Sequence, residues 1–461
     1  MPLTFNFTHF SVVPAYYLPT CNDHSTPVKK HVLQKPNGNV FQATWNAHNK
    51  QFKETFLEKV ARTVFFPINS LIARSILPAT QRSASEIAAV ENRFQRKWNG
   101  GSVMNEDRFL RSHFMPIPIE APTPDKVMLK GTFFKNLHAP ANAPTVIFFQ
   151  PNNALSKAGA FDWALMQAAL QEFPYHFVYF DYRGVGESKG VPHSKKDLYL
   201  DGDTIFQYVR DKLHIPENEI HFYGFSLGGG VASNVKNPES LSRLVNDRSF
   251  NSIDNAITNL LKMFKNFLHQ GTLLFSFATN ETLISIAAKF ASFWTSFLNW
   301  NMQSAKAIEK LKGKTLVLHH PEDEMMKDKA SLYRSLFQRA TPPPLVSELN
   351  LQRFSSFDPP YIHGCSLDSF ASANGDNAEN ETAQFLFGSN LSFSQRMLER
   401  FRTATPEFRN HVFTLIAQRQ QPGRHYWGSG EDAFYNRNGL TMTDTMRIDA
   451  IVKAKIMSAA A

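Results

Sequence analysis

The stretch EIHFYGFSLGGGVA occupies residues 219–232, near the middle of the 461-residue chain. Its apolar run IHFY is typical of a buried strand, and the small residues that follow are typical of a closely packed helix. Between them, Gly224, Ser226 and Gly228 form a G-x-S-x-G pattern, which places a serine on a sharp turn from strand to helix. Ser226 is therefore a candidate nucleophile. A glycine-rich turn without a chemical role is the alternative interpretation.

The residues around this serine have the sizes that such a turn requires. A serine that stands clear of a sheet needs a strained backbone, and positions two before and two after it press against neighbouring backbone. Leu227 would begin the helix, so its N–H is a candidate donor to a developing oxyanion. The second donor is expected in the loop QPNNAL at 150–155, from Asn152 or next from Asn153. Turn formation is the alternative role for both asparagines.

Strands and helices alternate on both sides of this turn. Helical patterns at 158–172, 198–212 and 330–338 separate several of the apolar runs. This alternation predicts an α/β fold with right-handed βαβ units, a mostly parallel eight-stranded sheet and helices on both faces. Ligands of such sheets bind at the carboxyl ends of the strands, where Ser226 is expected. The eight predicted strands are 114–119, 127–134, 145–149, 176–180, 220–223, 241–245, 315–318 and 345–351.

The chain divides into three parts on this pattern. An N-terminal helical extension at 1–111 precedes the sheet domain at 112–370, and a C-terminal helical extension follows at 371–461. Within the sheet domain, the segment at about 251–310 breaks the alternation with two apolar helical stripes, which predicts a helical cap over the site. Ordinary packing of these stripes on the sheet is the alternative.

Two further patterns lie in the extensions. A helical stripe at 52–66 is expected to pack on the protein itself, with peripheral membrane contact as the alternative. A second helix is predicted at 85–98. A polar linker at 373–382 would lead to helices at 394–402 and 406–418.

A serine nucleophile needs a base, and the base needs an orienting carboxylate. In the chain order Ser, acid, His, the acid should follow a later strand, and Asp323 lies five residues beyond the strand at 315–318. Glu322 and Asp328 are the next candidates. His363, followed by a glycine, fits the base. His411 and His425 are weaker because they fall in helical or tail sequence.

Composition narrows the function classes. The net charge is +9, but no dense basic cluster indicates nucleic acid binding. Cys21 and Cys365 are far apart and match no zinc spacing, so neither a disulfide nor a metal or other cofactor is expected. The N-terminus lacks the pattern of a signal peptide, and no apolar run is long enough to span a membrane. A cytoplasmic location at synthesis is therefore expected.

The run from Thr145 to Ala232 resembles the α/β-hydrolase superfamily, especially lysophospholipases, monoacylglycerol lipases and acyl-protein thioesterases. The resemblance is carried by DYRGVGES at 181–188, LYLDG at 198–202 and GFSLG at 224–228. It implies an α/β-hydrolase fold with Ser226 as nucleophile. It also implies Asp323 as acid and His363 as base. A departure is Gln150-Pro151, where the family usually has His-Gly before the oxyanion donor.

The chain is also similar to the chlamydial CHLPS-type hydrolases and related Legionella secreted proteins, in which helices precede the hydrolase domain. That likeness implies export into a host cell as an alternative location. Together these observations predict a serine esterase that cleaves esters or thioesters of lipid-like acyl substrates. The alternatives are a hydrolase-like scaffold that binds a membrane or host protein without turnover, and a peptidase or amidase with the same triad.

Overall fold

A computed structural model describes residues 55–98, 114–137, 139–158, 175–259, 281–339, 341–353, 362–365, 367, 370–372 and 378–387. The predicted helices at 394–402 and 406–418, and most of the one at 158–172, lie outside these residues. The strands are β1 Phe114–Pro122, β2 Met128–Asn136, β3 Thr145–Phe149, β4 His176–Phe180, β5 Ile220–Phe225, β6 Leu244–Asp247, β7 Thr315–His319, β8 Val346–Arg353 and β9 Phe370–Ser372.

These strands form one sheet in the order β1-β2-β4-β3-β5-β6-β7-β8-β9. Neighbours from β4 through β8 run parallel, whereas β1, β2 and β9 join the two edges in antiparallel pairs. The predicted mostly parallel α/β sheet is therefore confirmed, and a short ninth strand that was not predicted extends it. β6 begins three residues later than predicted because Leu241 is exposed in the turn before it.

The helices are α1 Phe56–Val64, α2 Phe66–Ile76, α3 Ala84–Trp98, α4 Lys195–Lys212, α5 Leu227–Val235, α6 Glu281–Phe297, α7 Ser304–Ile308, α8 Leu332–Phe337 and α9 Ala378–Phe387. Side chains of successive strand residues pack alternately in two separate hydrophobic cores, one on each face of the sheet. On β3, Phe149 packs in the core that contains α4 and α5, and Phe148 packs in the other.

The N-terminal helices are attached to the sheet domain by buried polar contacts. Thr55 and Glu58 form a capping box at the start of α1. The Glu58 carboxylate also accepts hydrogen bonds from Lys196 at 2.8 Å and from Asn299 at 2.9 Å. On α2, the buried Asn69 accepts a hydrogen bond from the indole N–H of Trp300 at 2.7 Å. Helices α1 and α2 therefore lie against α4 and the end of α6.

Helix α9 shows that the linker predicted at 373–382 is wrong in its second half, because the helix begins at Ala378. Its apolar side chains Ala383 and Leu386 are fully buried in the second core. The ring of Phe387 stacks on Tyr175 with centroids 4.5 Å apart. The polar residues AENET at its start concealed this helix, whose buried side is made largely of small residues.

Between β6 and β7, the structure describes a helical segment at 253–259 and helix α6, with 260–280 outside the described residues. Both lie within the predicted cap at 251–310. Asn259 donates hydrogen bonds to the carbonyls of Glu324 and Met325, so the first segment contacts the loop after β7. No helix in the described ranges is both long enough and apolar enough to cross a membrane.

The turn between β5 and α5 is the most tightly packed backbone near the carboxyl end of the sheet. A Cβ atom added to Gly228 would lie 1.9 Å from the carbonyl oxygen of Phe149, and one added to Gly224 would lie 2.5 Å from the carbonyl oxygen of Gly228. These neighbours are backbone atoms of the sheet and helix, so they cannot move aside as a flexible side chain can. Glycine is required at both positions by this close approach.

We expect Gly228→Ala to destabilise the protein by about 3 kcal/mol, the upper range for overpacking, since the added methyl group meets fixed backbone. The midpoint of thermal unfolding measures the loss. Gly364→Ala is the control, because a Cβ atom there has nothing within 4 Å. Equal unfolding midpoints for Gly228→Ala and the unchanged protein would contradict the close approach.

Candidate active site

Ser226 stands at the junction of β5 and α5 in the strained conformation expected for such a turn. Its φ is +53° and its ψ is −115°, a backbone region that residues other than glycine rarely occupy. The N–H of Ser226 donates to the carbonyl of Asp247 at the end of β6, at 3.0 Å. Contacts from the neighbouring strand therefore hold the strained turn, and Leu227 begins the helix as predicted.

His363 lies beside this serine. Its Nε2 is 2.9 Å from the Ser226 Oγ, and its Nδ1 is 2.9 Å from the Asp323 Oδ2. Because the ionised Asp323 can only accept, Nδ1 carries the hydrogen, and Nε2 is left to accept the proton of the serine hydroxyl. The three side chains are buried, with Ser226 and His363 each 6% exposed.

The imidazole contacts Asp323 rather than Glu322 or Asp328, the other two acids considered for this role. Two backbone N–H groups, of Met325 and Met326, also donate to the Asp323 Oδ1. Burial alone would raise the pKa of Asp323, but His363, the Met326 N–H and the charge of Arg248 hold the pKa below its ordinary value. The carboxylate therefore stays ionised at neutral pH. His411 and His425 lie outside the described residues.

The loop after β3 begins directly against the turn that carries Ser226. Gly228 approaches the carbonyls of both Phe149 and Gln150. The Asn152 carbonyl accepts from the N–H of Ala79, and the Asn153 side chain accepts from Arg82 at 3.1 Å. The segment between α2 and α3 thus helps to hold the loop that contains both asparagines.

Asp181 holds the other end of this loop, since its Oδ1 accepts the Ser156 N–H at 2.7 Å. Burial raises the pKa of Asp181 to about 7, and the Ser156 hydrogen bonds offset only part of that effect. The neighbouring Arg183 instead pairs with Asp201 and Asp125. Both residues belong to the stretch at 181–188 that carries the resemblance to the superfamily.

Two residues at this site were not found from the sequence. Glu324, next to Asp323, accepts the backbone N–H groups of Ile362 and His363. Arg248, after β6, donates to backbone carbonyls of the same segment. In the sequence both resemble ordinary charged loop residues, and no motif marks them.

Comparison with known proteins gives three kinds of match. The family model described as "Chlamydia CHLPS protein (DUF818)" matches residues 162–342. Protein bem46 of Schizosaccharomyces pombe is 30% identical over 165 residues, which are 35% of this chain and 51% of that protein. Lysophosphatidylserine lipase ABHD12 of Macaca fascicularis is 34% identical over 95 residues, which are 21% of this chain and 23% of that protein.

The chain is similar to these proteins over part of its length, and its sheet has the strand arrangement expected for the α/β-hydrolase fold. It spans about half the length of the bem46 protein and about a quarter of ABHD12. Among solved structures, an esterase of Pyrococcus furiosus is similar with a TM-score of 0.39 and 18% identity, over 60% of this chain and 92% of that one. An α/β hydrolase of Vibrio vulnificus has the same TM-score and identity, over 62% and 89%. The resemblance to the superfamily and the CHLPS likeness predicted from the sequence are both confirmed.

The raised pKa of Asp181 makes a prediction about stability. In the unfolded chain this carboxyl titrates near its ordinary value of 3.8, so between about pH 4 and 7 the folded protein binds more protons than the unfolded one. Stability contributed by Asp181 is therefore lost as the pH rises through this window. The variant Asp181→Asn has no such ionisation and keeps the acceptor for Ser156.

We expect the free energy of unfolding to fall less between pH 5 and 8 in Asp181→Asn than in the unchanged protein, as measured by urea titration at the two pH values. Other buried acids, such as Asp201, contribute equally to both proteins. An identical pH dependence in the two proteins would refute the raised pKa of Asp181.

Proposed function

We propose that this protein is a serine hydrolase that cleaves carboxylic esters or thioesters of lipid-like acyl substrates. In this proposal Ser226 is the nucleophile, His363 the general base and Asp323 the orienting acid. The observation that carries it is the 2.9 Å distance between the Ser226 Oγ and the His363 Nε2, two atoms from residues 137 positions apart in the chain. A nucleophile and base within hydrogen-bond reach, with a third group orienting the base, is the arrangement that activates a serine.

The chemistry follows from the protonation states at these atoms. The Ser226 Oγ attacks the substrate carbonyl while the His363 Nε2 takes the hydroxyl proton, and a tetrahedral intermediate forms. Its oxyanion accepts hydrogen bonds from the N–H groups of Leu227 and Asn152. The imidazolium then protonates the leaving alcohol or thiol, and an acyl enzyme remains. Water, deprotonated by the same imidazole, releases the carboxylic acid and restores Ser226.

In these reaction steps, Asp323 acts electrostatically on His363. Its ionised carboxylate keeps the hydrogen on Nδ1 and stabilises the positive charge that His363 acquires. The N–H groups of Met325 and Met326 support this role because they compensate the carboxylate in a buried site. The carboxylate is thereby kept in one orientation toward the imidazole.

The lipid-like character of the substrate is supported by an exposed apolar surface on α1, α2 and α6, here called the aromatic face. Its exposed side chains are Phe56, Leu57, Val60 and Val64 of α1, Phe66 and Leu71 of α2, and Ile286, Phe290, Phe293 and Phe297 of α6. The two parts of the face meet at Phe65, whose ring contacts Trp294 and Phe297 with centroids 5.2 and 5.5 Å away.

Charge also favours contact of the aromatic face with an anionic lipid surface. Lys59, Arg74 and Lys289 are exposed on the same three helices, whereas Glu58 is already paired with Lys196. Exposed apolar side chains with flanking basic residues are typical of interfacial helices. The name of ABHD12 describes a lysophosphatidylserine lipase, which is consistent with a lipid ester as substrate.

The nucleophile is tested by Ser226→Ala, which we expect to lower kcat for p-nitrophenyl butyrate by about 10⁴-fold or more, since the attacking oxygen is removed. Labelling by a fluorophosphonate probe should disappear in the same variant. Ser75→Ala is the control, because that hydroxyl is exposed on α2. If Ser226→Ala still hydrolyses the ester and is still labelled, the assignment of Ser226 as nucleophile is wrong. If the unchanged protein is inactive and is not labelled, it is a scaffold without turnover.

The aromatic face is tested by the double variant Phe290→Ser with Phe293→Ser. We expect sedimentation with phosphatidylglycerol vesicles, and hydrolysis of a long-chain ester presented in them, to fall about 10-fold, because apolar area that would enter the lipid is removed. Hydrolysis of soluble p-nitrophenyl acetate should not change. Leu241→Ser, at an exposed leucine before β6, is the control. Unchanged vesicle binding in the double variant would exclude the lipid contact.

A further inference from the structure

The segment that contains His363 is held from two sides by side chains of opposite charge. The Glu324 carboxylate accepts the N–H groups of Ile362 and His363, at 3.1 and 3.2 Å. The Arg248 Nη1 donates to the carbonyls of Ile362, His363 and Cys365, at 3.1, 3.3 and 2.7 Å. Both backbone edges of this short segment therefore have charged partners, although it belongs to no helix or strand.

Arg248 is itself fixed by the residue before it. Its Nε and Nη2 donate to the two oxygens of Asp247, at 2.7 and 3.0 Å. Asp247 in turn accepts the hydroxyl of Tyr223 at 2.5 Å. Arg248 is only 2% exposed, and the paired carboxylate offsets part of the cost of burying its charge. A planar fork can pair with one carboxylate and still present Nη1 to a second partner.

Aromatic rings complete this arrangement. The Arg248 guanidinium lies 4.7 Å from the ring centre of Phe225 and 5.0 Å from that of Phe370. Phe225 precedes the serine, and its ring also stacks on the imidazole of His363 with centroids 5.4 Å apart. The turn that carries Ser226, the end of β6 and the segment that carries His363 therefore all meet at one guanidinium.

The backbone of Arg248 is strained in a way that few residues accept. Its φ is +42°, in the left-handed region, and its N–H donates to the carbonyl of Leu318 on β7. Such conformations persist only where contacts with the surrounding structure are strong enough to impose them. They are concentrated at functional sites. In this backbone conformation, the side chain of Arg248 extends from the end of β6 toward the segment that carries His363.

Asp247 also neutralises the charge that Arg248 would otherwise place beside His363. A lone buried cation beside His363 would oppose the positive charge that the imidazole must acquire. Burial works to lower the pKa of Arg248, but Asp247 raises it above the ordinary value, so the side chain stays charged. Because Asp247 cancels that charge, the site receives strong hydrogen-bond donors with little net charge.

We propose that Arg248 is a positioning residue for catalysis, whose guanidinium holds the carbonyl edge of residues 362–365 so that the imidazole of His363 stays in reach of Ser226. This inference rests on the proposed hydrolase function. Arg248 does not touch the reacting atoms. Its effect is to limit displacement of the base, and a displacement of about 1 Å costs on the order of 10²-fold in rate.

The test compares Arg248→Met and Arg248→Lys with the unchanged protein in hydrolysis of p-nitrophenyl butyrate. We expect Arg248→Met to lower kcat by about 10²-fold with KM within about twofold, since substrate contacts are kept. Arg248→Lys should recover part of the loss, because an ammonium can donate to the carbonyls but cannot also pair bidentately with Asp247. In Arg248→Ala, millimolar guanidinium should raise kcat by filling the vacated position.

Arg243→Met is the matched control. Arg243 precedes the other end of the same strand, and its guanidinium likewise donates to a backbone carbonyl, that of Phe385 on α9. We expect this variant to lower the thermal midpoint while kcat per folded molecule stays unchanged and does not respond to guanidinium. Thermal midpoints of all variants separate loss of folded protein from loss of rate.

The outcomes distinguish the two proposals. An active, probe-labelled unchanged protein with full kcat in Arg248→Met overturns the positioning role and leaves the hydrolase function standing. Equal losses of kcat in Arg248→Met and Arg243→Met also overturn it, because the effect would then be one of general stability. An unchanged protein that neither hydrolyses the ester nor reacts with the probe overturns both. If Arg248→Met does not fold, the lysine variant and the guanidinium response decide.

Discussion

The backbone of α5 lies so close to the end of β3 that no side chain fits between them. This contact, between Gly228 and the carbonyl of Phe149, places the first turn of the helix over the carboxyl edge of the sheet. The strained conformation of Ser226, the exit direction of α5 and the position of the loop after β3 all depend on it. Donors at a helix start and donors in a neighbouring loop can converge on one point only when the two backbones touch in this way.

Several ionisable groups are buried around this contact, and they differ in how far their partners compensate for the cost of burial. Arg248 and Asp247 pair completely, and Asp323 is compensated by the imidazole and two backbone N–H groups. For Asp181, by contrast, burial outweighs the Ser156 hydrogen bonds and the attraction of Lys157, and its pKa rises to about 7. Paired charges thus lie where the hydroxyl, imidazole and carboxylate must keep a fixed geometry. Asp181 holds the loop after β3 through Ser156, and a neutral acid is sufficient to accept that hydrogen bond.

The segments outside the central alternation are part of the same architecture. Helices α1 and α2 are joined to the sheet domain through Glu58 and Asn69, and α9 fills the second core from the opposite side. The segment between α2 and α3 also helps to support the loop that contains Asn152. Helices α1 and α2 carry much of the aromatic face.

The α/β class, most strand positions and the turn at Ser226 could be predicted from the amino-acid sequence, because they depend on short-range patterns of apolar residues and glycine. The sequence also narrowed the acid and base to a few loop residues, since chain order and strand ends restrict where they can lie. The folded chain was needed to show that His363 contacts Asp323 rather than Glu322, and that a helix occupies the second half of the linker predicted at 373–382. It alone assigned partners to Arg248 and Glu324, because each binds backbone atoms of a distant segment, and backbone carbonyl and N–H groups look the same at every position of a sequence.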